Sequence, residues 1–423
     1  LMTTDTKKHE RPPSAQDQPV AAPLPRGDSP ESLGVSSSGL LALLEAAGAK
    51  NLELHSFLLL RHGKVAAEGW WRPYGPEHPH MLFSLSKSFT ATAAGLAIGE
   101  GLLSLDDPVL SFFPEDAPVE AGGNLGAMRV RHLLTMTTGH AEDTLGSAFG
   151  RADGNWARAF LEQPVEHAPG THFVYNSGAT YMVSAILQKV TGKTLLDYLQ
   201  PRLFGPLGIG DASWESCPRG VNVGGWGLSI RTEDIARFGQ LYLQNGVWEG
   251  ERLLPEVWVE EATTARVPNG DPATGGDWSQ GYGYQFWRSR YGAYRGDGAF
   301  GQFCVVLPEQ DAVLAITAGT SDMQGVLNSV WEHLLPAFAP GTLPEDASAR
   351  DALRRALTGL RLGAPEGNAS SPLTARVSGG AYEIERNEED APEIEAVAFE
   401  FPVEGGSAVR VRDRNGEHRI VCG

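Results

Sequence analysis

The sequence predicts an α+β fold: an antiparallel sheet flanked by helices, a mainly helical insert, and a β-rich appendage at the C-terminal end. Three observations predict it. Two strand-like runs, 52–60 and 64–71, flank Arg61-His62-Gly63, a hairpin signature. From residue 84 to about 265 the chain reads mainly helical, broken by Gly and Pro loops. Strand character returns only after residue 280. An early hairpin and late strands around a helical stretch imply one sheet that joins both ends of the domain.

In chain order, residues 1–33 carry many Pro, Ser and charged side chains and read as a flexible N-terminal extension. Between Gly39 and Gly48, residues Leu40, Leu41, Leu43 and Leu44 fall at helical spacing. From Phe83 to Gly101, residues Leu85, Phe89, Ala93, Leu96 and Ala97 recur at intervals of three and four, which lines them up on one face of a buried helix. A further helical run, 179–187, follows Tyr175-Asn176-Ser177. Late strands are expected over Tyr282–Trp287, Gly301–Leu307 and Ala312–Thr317, with a helix from Met323 to Leu335 packed on their sheet. These segments make up a domain over 34–340. Residues 340–346 are linker-like, and Ser348 to Leu362 is a short helix with Ser348 as its N-cap. Residues 397–401 and 409–412 alternate like strands, and Asn415-Gly416 is a strong hairpin signal. Residues 341–423 therefore read as a linker and a β-rich C-terminal domain, with its truncation left open.

The chemistry-bearing positions begin with Ser84 and Lys87, three apart and so neighbours on the first turn of their helix. A serine hydroxyl is a poor nucleophile until a neighbour takes its proton. A lysine does that only when burial or a nearby cation lowers its pKa, and Lys87 sits among apolar residues. S-x-x-K also arises by chance, with Ser84 an ordinary N-cap. Tyr175, at a helix entrance, is a candidate proton acceptor or relay if a cation lowers its pKa. A packed tyrosine beside an Asn or Ser cap reads the same way. Arg295-Gly296-Asp297-Gly298-Ala299-Phe300-Gly301 precedes the strand-like 302–307. Small residues there let a substrate lie close to a strand whose N–H groups aim at a carbonyl oxygen. A glycine-rich turn is the alternative.

The order, spacing and flanks of these three segments resemble the penicillin-binding and β-lactamase-like serine hydrolases. More narrowly, they resemble the branch holding class C β-lactamases, family VIII carboxylesterases and 6-aminohexanoate-dimer hydrolase. Val130 to Gly139 is similar to that family's R-x-L-L-x-x-T-S-G segment, and Gly101 to Val109 to the turn after its nucleophile helix. Leu203-Phe204-Gly205-Pro206-Leu207-Gly208 and Gly224-Gly225-Trp226-Gly227-Leu228 through Phe238 resemble two further family runs. The resemblance covers roughly residues 35–340 and implies a β-lactamase/transpeptidase-like fold.

It also implies roles. Ser84 would attack the acyl carbon and form an acyl-enzyme, Lys87 would receive the serine proton, and Tyr175 would act with Lys87 as base and then protonate the leaving group. The oxyanion hole would be the N–H groups of Ser84 and Ala299. Ser177 falls where the family places a helper hydroxyl or amide, and Asp297 and Gly298 lie on the substrate-side strand. Two departures matter. The second motif reads Tyr-Asn-Ser instead of Tyr-x-Asn, resembling ester- and amide-hydrolysing members. Where β-lactamases carry Lys-Thr-Gly, this chain has Gly296-Asp297-Gly298. An aspartate there would repel a substrate carboxylate unless Arg295 compensates, which favours esters, or amides lacking that carboxylate.

Composition limits the partners. Hydrophobic content of 41% and charged content of 20% describe an ordinary soluble globular protein. A formal charge of −18 disfavours nucleic acid and anionic membranes, and no apolar run reaches the length of a membrane span. Three widely spaced cysteines lack metal or redox spacing and read as reduced thiols of a cytoplasmic chain. Gly296-x-Gly298-x-x-Gly301 matches a dinucleotide-binding pattern by letters, but a strand follows where that pattern needs a helix. There is no G-x-S-x-G and no H-E-x-x-H. Trp70, Trp71, Trp226 and Trp287 are candidate pocket walls, and glycines around Trp226 make it the first choice for substrate contact.

The expected protein is a serine hydrolase without metal or cofactor, using a Ser-Lys-Tyr centre on carboxylic esters. Amidase, D-peptidase or β-lactamase activity is the alternative within the class. A catalytically silent acyl-binding scaffold is the alternative outside it, although Ser84, Lys87 and Tyr175 are all present. The expected partner is a small-molecule ester or amide, with neither nucleic acid nor membrane, and the oligomeric state is left open.

Overall fold

The computed structural model describes residues 22–119, 121–363, 371–384, 394–401, 407–413 and 416–422. The first helix, α1 (Ser37–Ala49), begins at Ser36, whose hydroxyl accepts the Gly39 N–H. A hairpin follows: β1 (Leu54–Arg61) and β2 (Lys64–Trp70), turned at His62 and Gly63, whose φ values of 51° and 70° are left-handed. The helical insert holds three long helices, α2 (Ser86–Gly99), α3 (Ser177–Thr191) and α4 (Thr232–Leu243). The chain then returns through β3 (Trp287–Arg288), β4 (Tyr294–Gly298), β5 (Gln302–Leu307) and β6 (Ala312–Ala318). Two helices close this part, α5 (Met323–Ser329) and α6 (Ala347–Gly359).

These strands form one antiparallel sheet in the order β2-β1-β6-β5-β4-β3. The first and last parts of the chain thus meet along β1 and β6, from Leu54 opposite Ala318 to Arg61 opposite Ala312. Both faces of the sheet are covered, and the period-two alternation of side chains divides them between two cores. On β1, Leu58 and Leu60 join the core beneath α2 and α4, whereas Phe57 and Leu59 join that beneath α1 and α5. On β6 the same split separates Val313 and Ala315 from Leu314 and Ile316. Each such leucine or isoleucine, fully buried, contributes roughly 1.5–3 kcal/mol, so a one-residue slip of register would forfeit both cores at once. The helix α2 is buried all round from Ser86 to Ala97, as expected for the central element of the insert.

Some boundaries differ from those read in the sequence. The segment Tyr282–Trp287 is strand only from Trp287, because Gln285 takes a φ of 62° and its buried amide donates to the carbonyls of Leu133 and Leu134. The cap of α6 is Asp346, which accepts the Ala349 N–H, instead of Ser348. The chain divides into compact units at residues 362 and 363, later than the expected division at 340, because α6 belongs to the first unit and buries Leu353 in the α1–α5 core. Within the segment expected as an extension, residues 24–27 run along β2: the Gly27 N–H donates to the Val65 carbonyl, Arg26 pairs with Glu68, and Leu24 is buried. Residues 1–21 lie outside the described residues.

The second unit, 363–423, contains a four-stranded antiparallel sheet in chain order: β7 (Ala381–Glu383), β8 (Ile394–Glu400), β9 (Ser407–Asp413) and β10 (Gly416–Cys422). Asp413 stands opposite Gly416, at the hairpin that Asn415-Gly416 marked; Asn415 itself lies outside the described residues. Among the described residues no helix is long and apolar enough to cross a membrane.

A candidate active site between sheet and helices

Ser84 sits in a single 3₁₀ turn, Phe83–Leu85, that leads into α2, and Lys87 lies in the first turn of that helix. The short turn directs both side chains to one point. The Lys87 ammonium nitrogen is 3.0 Å from Ser84 Oγ, 3.2 Å from Ser177 Oγ and 2.8 Å from the Gly225 carbonyl oxygen. Lys87 is only 2% exposed, and burial pushes its pKa down to about 7, against the pull of Asp143 and Asp297. A neutral amine has two N–H donors and one lone pair. The Gly225 carbonyl can only accept, whereas the Ser84 hydroxyl can donate, so the lone pair is free to receive the Ser84 proton.

Tyr175 precedes α3, whose N-cap is the buried Asn176; the Asn176 amide oxygen accepts the N–H of Ala179 and the N–H and hydroxyl of Thr144. That cap fixes the entry of the chain and with it the tyrosine. The Tyr175 ring lies 4.8 Å from Lys87 Nζ and stacks on Trp287 at 5.3 Å, and Ser84 is among the neighbours that act on its phenol. The sequence reading required a cation to lower this phenol. The opposite holds: burial first, then Asp297, push its pKa well above the ordinary tyrosine value, with Ser84 pulling only partly back. The two shifts run in opposite senses: burial holds the phenol protonated and favours the neutral amine.

Asp297 does not present its charge to a substrate. It is 5% exposed, and the wholly buried Arg295 donates to it from Nε at 2.8 Å. The two are alternate residues on β4, so they share a face. Arg295 donates also to the Asp277 carbonyl and the Ser289 hydroxyl, and its guanidinium lies over Trp278 at 4.5 Å. Burial pushes the Asp297 carboxyl up from its ordinary range, against the pull of Arg295. Gly298, expected beside a substrate, lies against the turn that carries Ser84: a Cβ there would stand 2.0 Å from the Leu82 carbonyl oxygen. Gly296 likewise makes room for Leu85 and Ser88. These two glycines let β4 press directly onto the start of α2.

Ala299 is exposed at the end of β4. Among the described residues, neither its N–H nor that of Ser84 makes a hydrogen bond. The Ser177 hydroxyl bonds Lys87, and the Ser177 N–H donates to the Asp143 carboxylate at 3.0 Å. Trp226 is half-buried, stacks on Trp156 at 6.0 Å and donates its indole N–H to Glu215. Two participants were not singled out in the sequence: the Gly225 carbonyl, a backbone group that no side-chain pattern reveals, and Asp143, whose place opposite Ser177 depends on the fold.

Fold and site together define a serine hydrolase. A model of the β-lactamase family matches residues 46–329, more than half of the chain, and the chain belongs to that family. It is 28% identical over 281 residues to the 6-aminohexanoate-dimer hydrolase of Paenarthrobacter ureafaciens, which is 61% of this chain and 71% of that relative. It is 29% identical over 182 residues to the esterase EstB of Burkholderia gladioli, 38% of this chain and under half (46%) of that relative's length. The solved structure of a family VIII carboxylesterase superposes with a TM-score of 0.57 at 16% identity, covering 73% of this chain and 98% of that one, and shows the shared fold.

Proposed function

We propose that the chain hydrolyses carboxylic esters through an acyl-enzyme on Ser84. The observation that carries this reading is the buried Lys87 amine, neutral above about pH 7 and 3.0 Å from the Ser84 hydroxyl. In the first step the Ser84 proton passes to Lys87 Nζ while Oγ bonds the acyl carbon, and the oxyanion is received by the N–H groups of Ser84 and Ala299. Collapse breaks the bond to the leaving oxygen. The Tyr175 phenol gives that oxygen its proton, and the resulting phenolate takes up the proton that Lys87 received from Ser84, which leaves the amine neutral again. Water then attacks the acyl carbon by the reverse route and frees Ser84.

Esters are favoured over β-lactams because the position of the family's substrate-binding lysine holds Gly296, and the nearby Arg295 is buried and committed to Asp297. A substrate carboxylate would find no free cation on that strand. The name of the first relative keeps amide hydrolysis as the second reading. Incubation with a fluorophosphonate should add one adduct to the wild-type chain and none to Ser84→Ala, read by intact mass. Parallel assays with p-nitrophenyl butyrate, a D-amino acid amide and nitrocefin should show turnover of the first. Turnover of nitrocefin alone overturns the ester reading, and an unlabelled wild-type chain overturns the serine mechanism.

A further inference from the structure

Two phenylalanines flank the pair of N–H groups assigned above to the oxyanion. Phe83 immediately precedes Ser84, and Phe300 immediately follows Ala299. Both hold a left-handed backbone, with φ of 48° and 64°. Bulky residues are rarely found there, because Cβ crowds the adjacent carbonyl. Such strain persists only where surrounding contacts over-determine it. The contacts are visible on each side. The Phe300 carbonyl accepts the Thr320 N–H at 3.0 Å and the Ala299 carbonyl accepts from the Gln302 amide at 3.1 Å, tying that turn to the sheet. On the other side the Leu82 N–H donates to the Leu228 carbonyl at 2.8 Å, tying the nucleophile turn to the insert.

Across the gap the two rings meet edge to face, with centroids 5.2 Å apart and planes at 69°. Phe300 is 50% exposed, so core burial does not explain its retention in a strained conformation. An edge-to-face aromatic contact fixes distance and angle together, which a general apolar contact does not. We infer that Phe83 and Phe300 are positioning residues: their ring contact braces the turn that carries the Ser84 N–H against the turn that carries the Ala299 N–H, and so sets the spacing of the two oxyanion donors. This rests on the proposed acyl-enzyme reading. Neither ring is asked to touch the reacting atoms.

The test uses the full chain and p-nitrophenyl butyrate. Phe300→Ala should lower kcat roughly ten- to hundredfold, since donors only slightly displaced lose much of their transition-state stabilisation. KM should change by less than about twofold. Phe300→Tyr, which keeps the aromatic edge, should restore most of kcat. The double variant Phe83→Ala/Phe300→Ala should be little worse than Phe300→Ala alone, because both remove one contact. Boronic acid inhibitors, which bind as tetrahedral adducts, should weaken in step with kcat. If Phe83→Ala does not fold, the exposed position 300 decides through its Ala and Tyr variants. An unchanged kcat in Phe300→Ala overturns the brace, and a loss confined to KM makes the ring a substrate wall instead. A wild-type chain that neither hydrolyses esters nor takes the fluorophosphonate sinks the underlying reading, and the brace with it; a working wild type with an unaffected Phe300→Ala sinks the brace alone.

Discussion

Lys87 in the folded chain loses its proton near pH 7, whereas a free lysine side chain does so near about 10.4. Two outcomes follow from that one displacement. If the neutral amine accepts the Ser84 proton, kcat/KM for p-nitrophenyl butyrate should climb as pH rises through about 7 and then level off. A flat profile across that range, after correction for spontaneous hydrolysis, would exclude Lys87 as the base. The second outcome concerns stability. Between about pH 7 and about pH 10 the unfolded chain binds the extra proton and the folded chain does not, so this group's contribution to stability rises with pH. Below about pH 7 the full cost of burying its charge is present. Lys87→Met removes that cost, so its Tm relative to wild type should be highest near pH 6 and fall steadily toward pH 9. A difference independent of pH would mean that Lys87 is not displaced.

The elements most nearly readable in the sequence were those whose signal is local. The stripe Leu85, Phe89, Ala93, Leu96 and Ala97 marks α2, and all five are buried, Leu85 in the 3₁₀ turn just before the helix. The hairpin around Arg61-His62-Gly63 and the late strands β5 and β6 stand where alternation and turn residues put them. The misread segment, Tyr282–Trp287, fails for a tertiary reason: Gln285 leaves the extended conformation to satisfy carbonyls some 150 residues away in sequence, and no local pattern encodes that bond. Orientation within β4 was half legible. Arg295 and Asp297 are alternate residues and so share a face, but that the pair would be sealed from the cleft depends on Trp278, Ser289 and Asp277. The small residues of β4 suggest room for substrate, whereas its glycines make room for the turn that carries Ser84. Gly298→Ala tests that element-level role. Its methyl carbon would collide with the Leu82 carbonyl, a backbone atom that cannot step aside. The variant should lose roughly 1–3 kcal/mol of stability and most of its rate of fluorophosphonate labelling. Unchanged melting and labelling would show that β4 does not press on α2.

Taken whole, the first unit brings its site together from two layers: Ser84, Lys87 and Tyr175 from the helical insert, and Ala299 from the end of β4 in the sheet. A shift of either layer that leaves every helix and strand intact would still part the two N–H donors. Labelling of Ser84 should therefore fade at lower urea than far-UV ellipticity does. Superimposed curves would indicate that sheet and insert separate only on global unfolding. The pairing of β1 with β6 carries a cost of a different kind. Leu54 finds its neighbour Ala318 only after more than 250 intervening residues have been made, which at ribosomal speed means a wait of roughly ten seconds to a minute. Throughout that interval the N-terminal hairpin has emerged, with one flank of its leading strand still unpaired and Phe57 and Leu59 lacking the partners that later shelter them. A nascent chain in that condition is a template for its neighbours on the same message. Yield in a cell is thus expected to rise when translation is slowed or when chaperones that bind nascent chains are supplied.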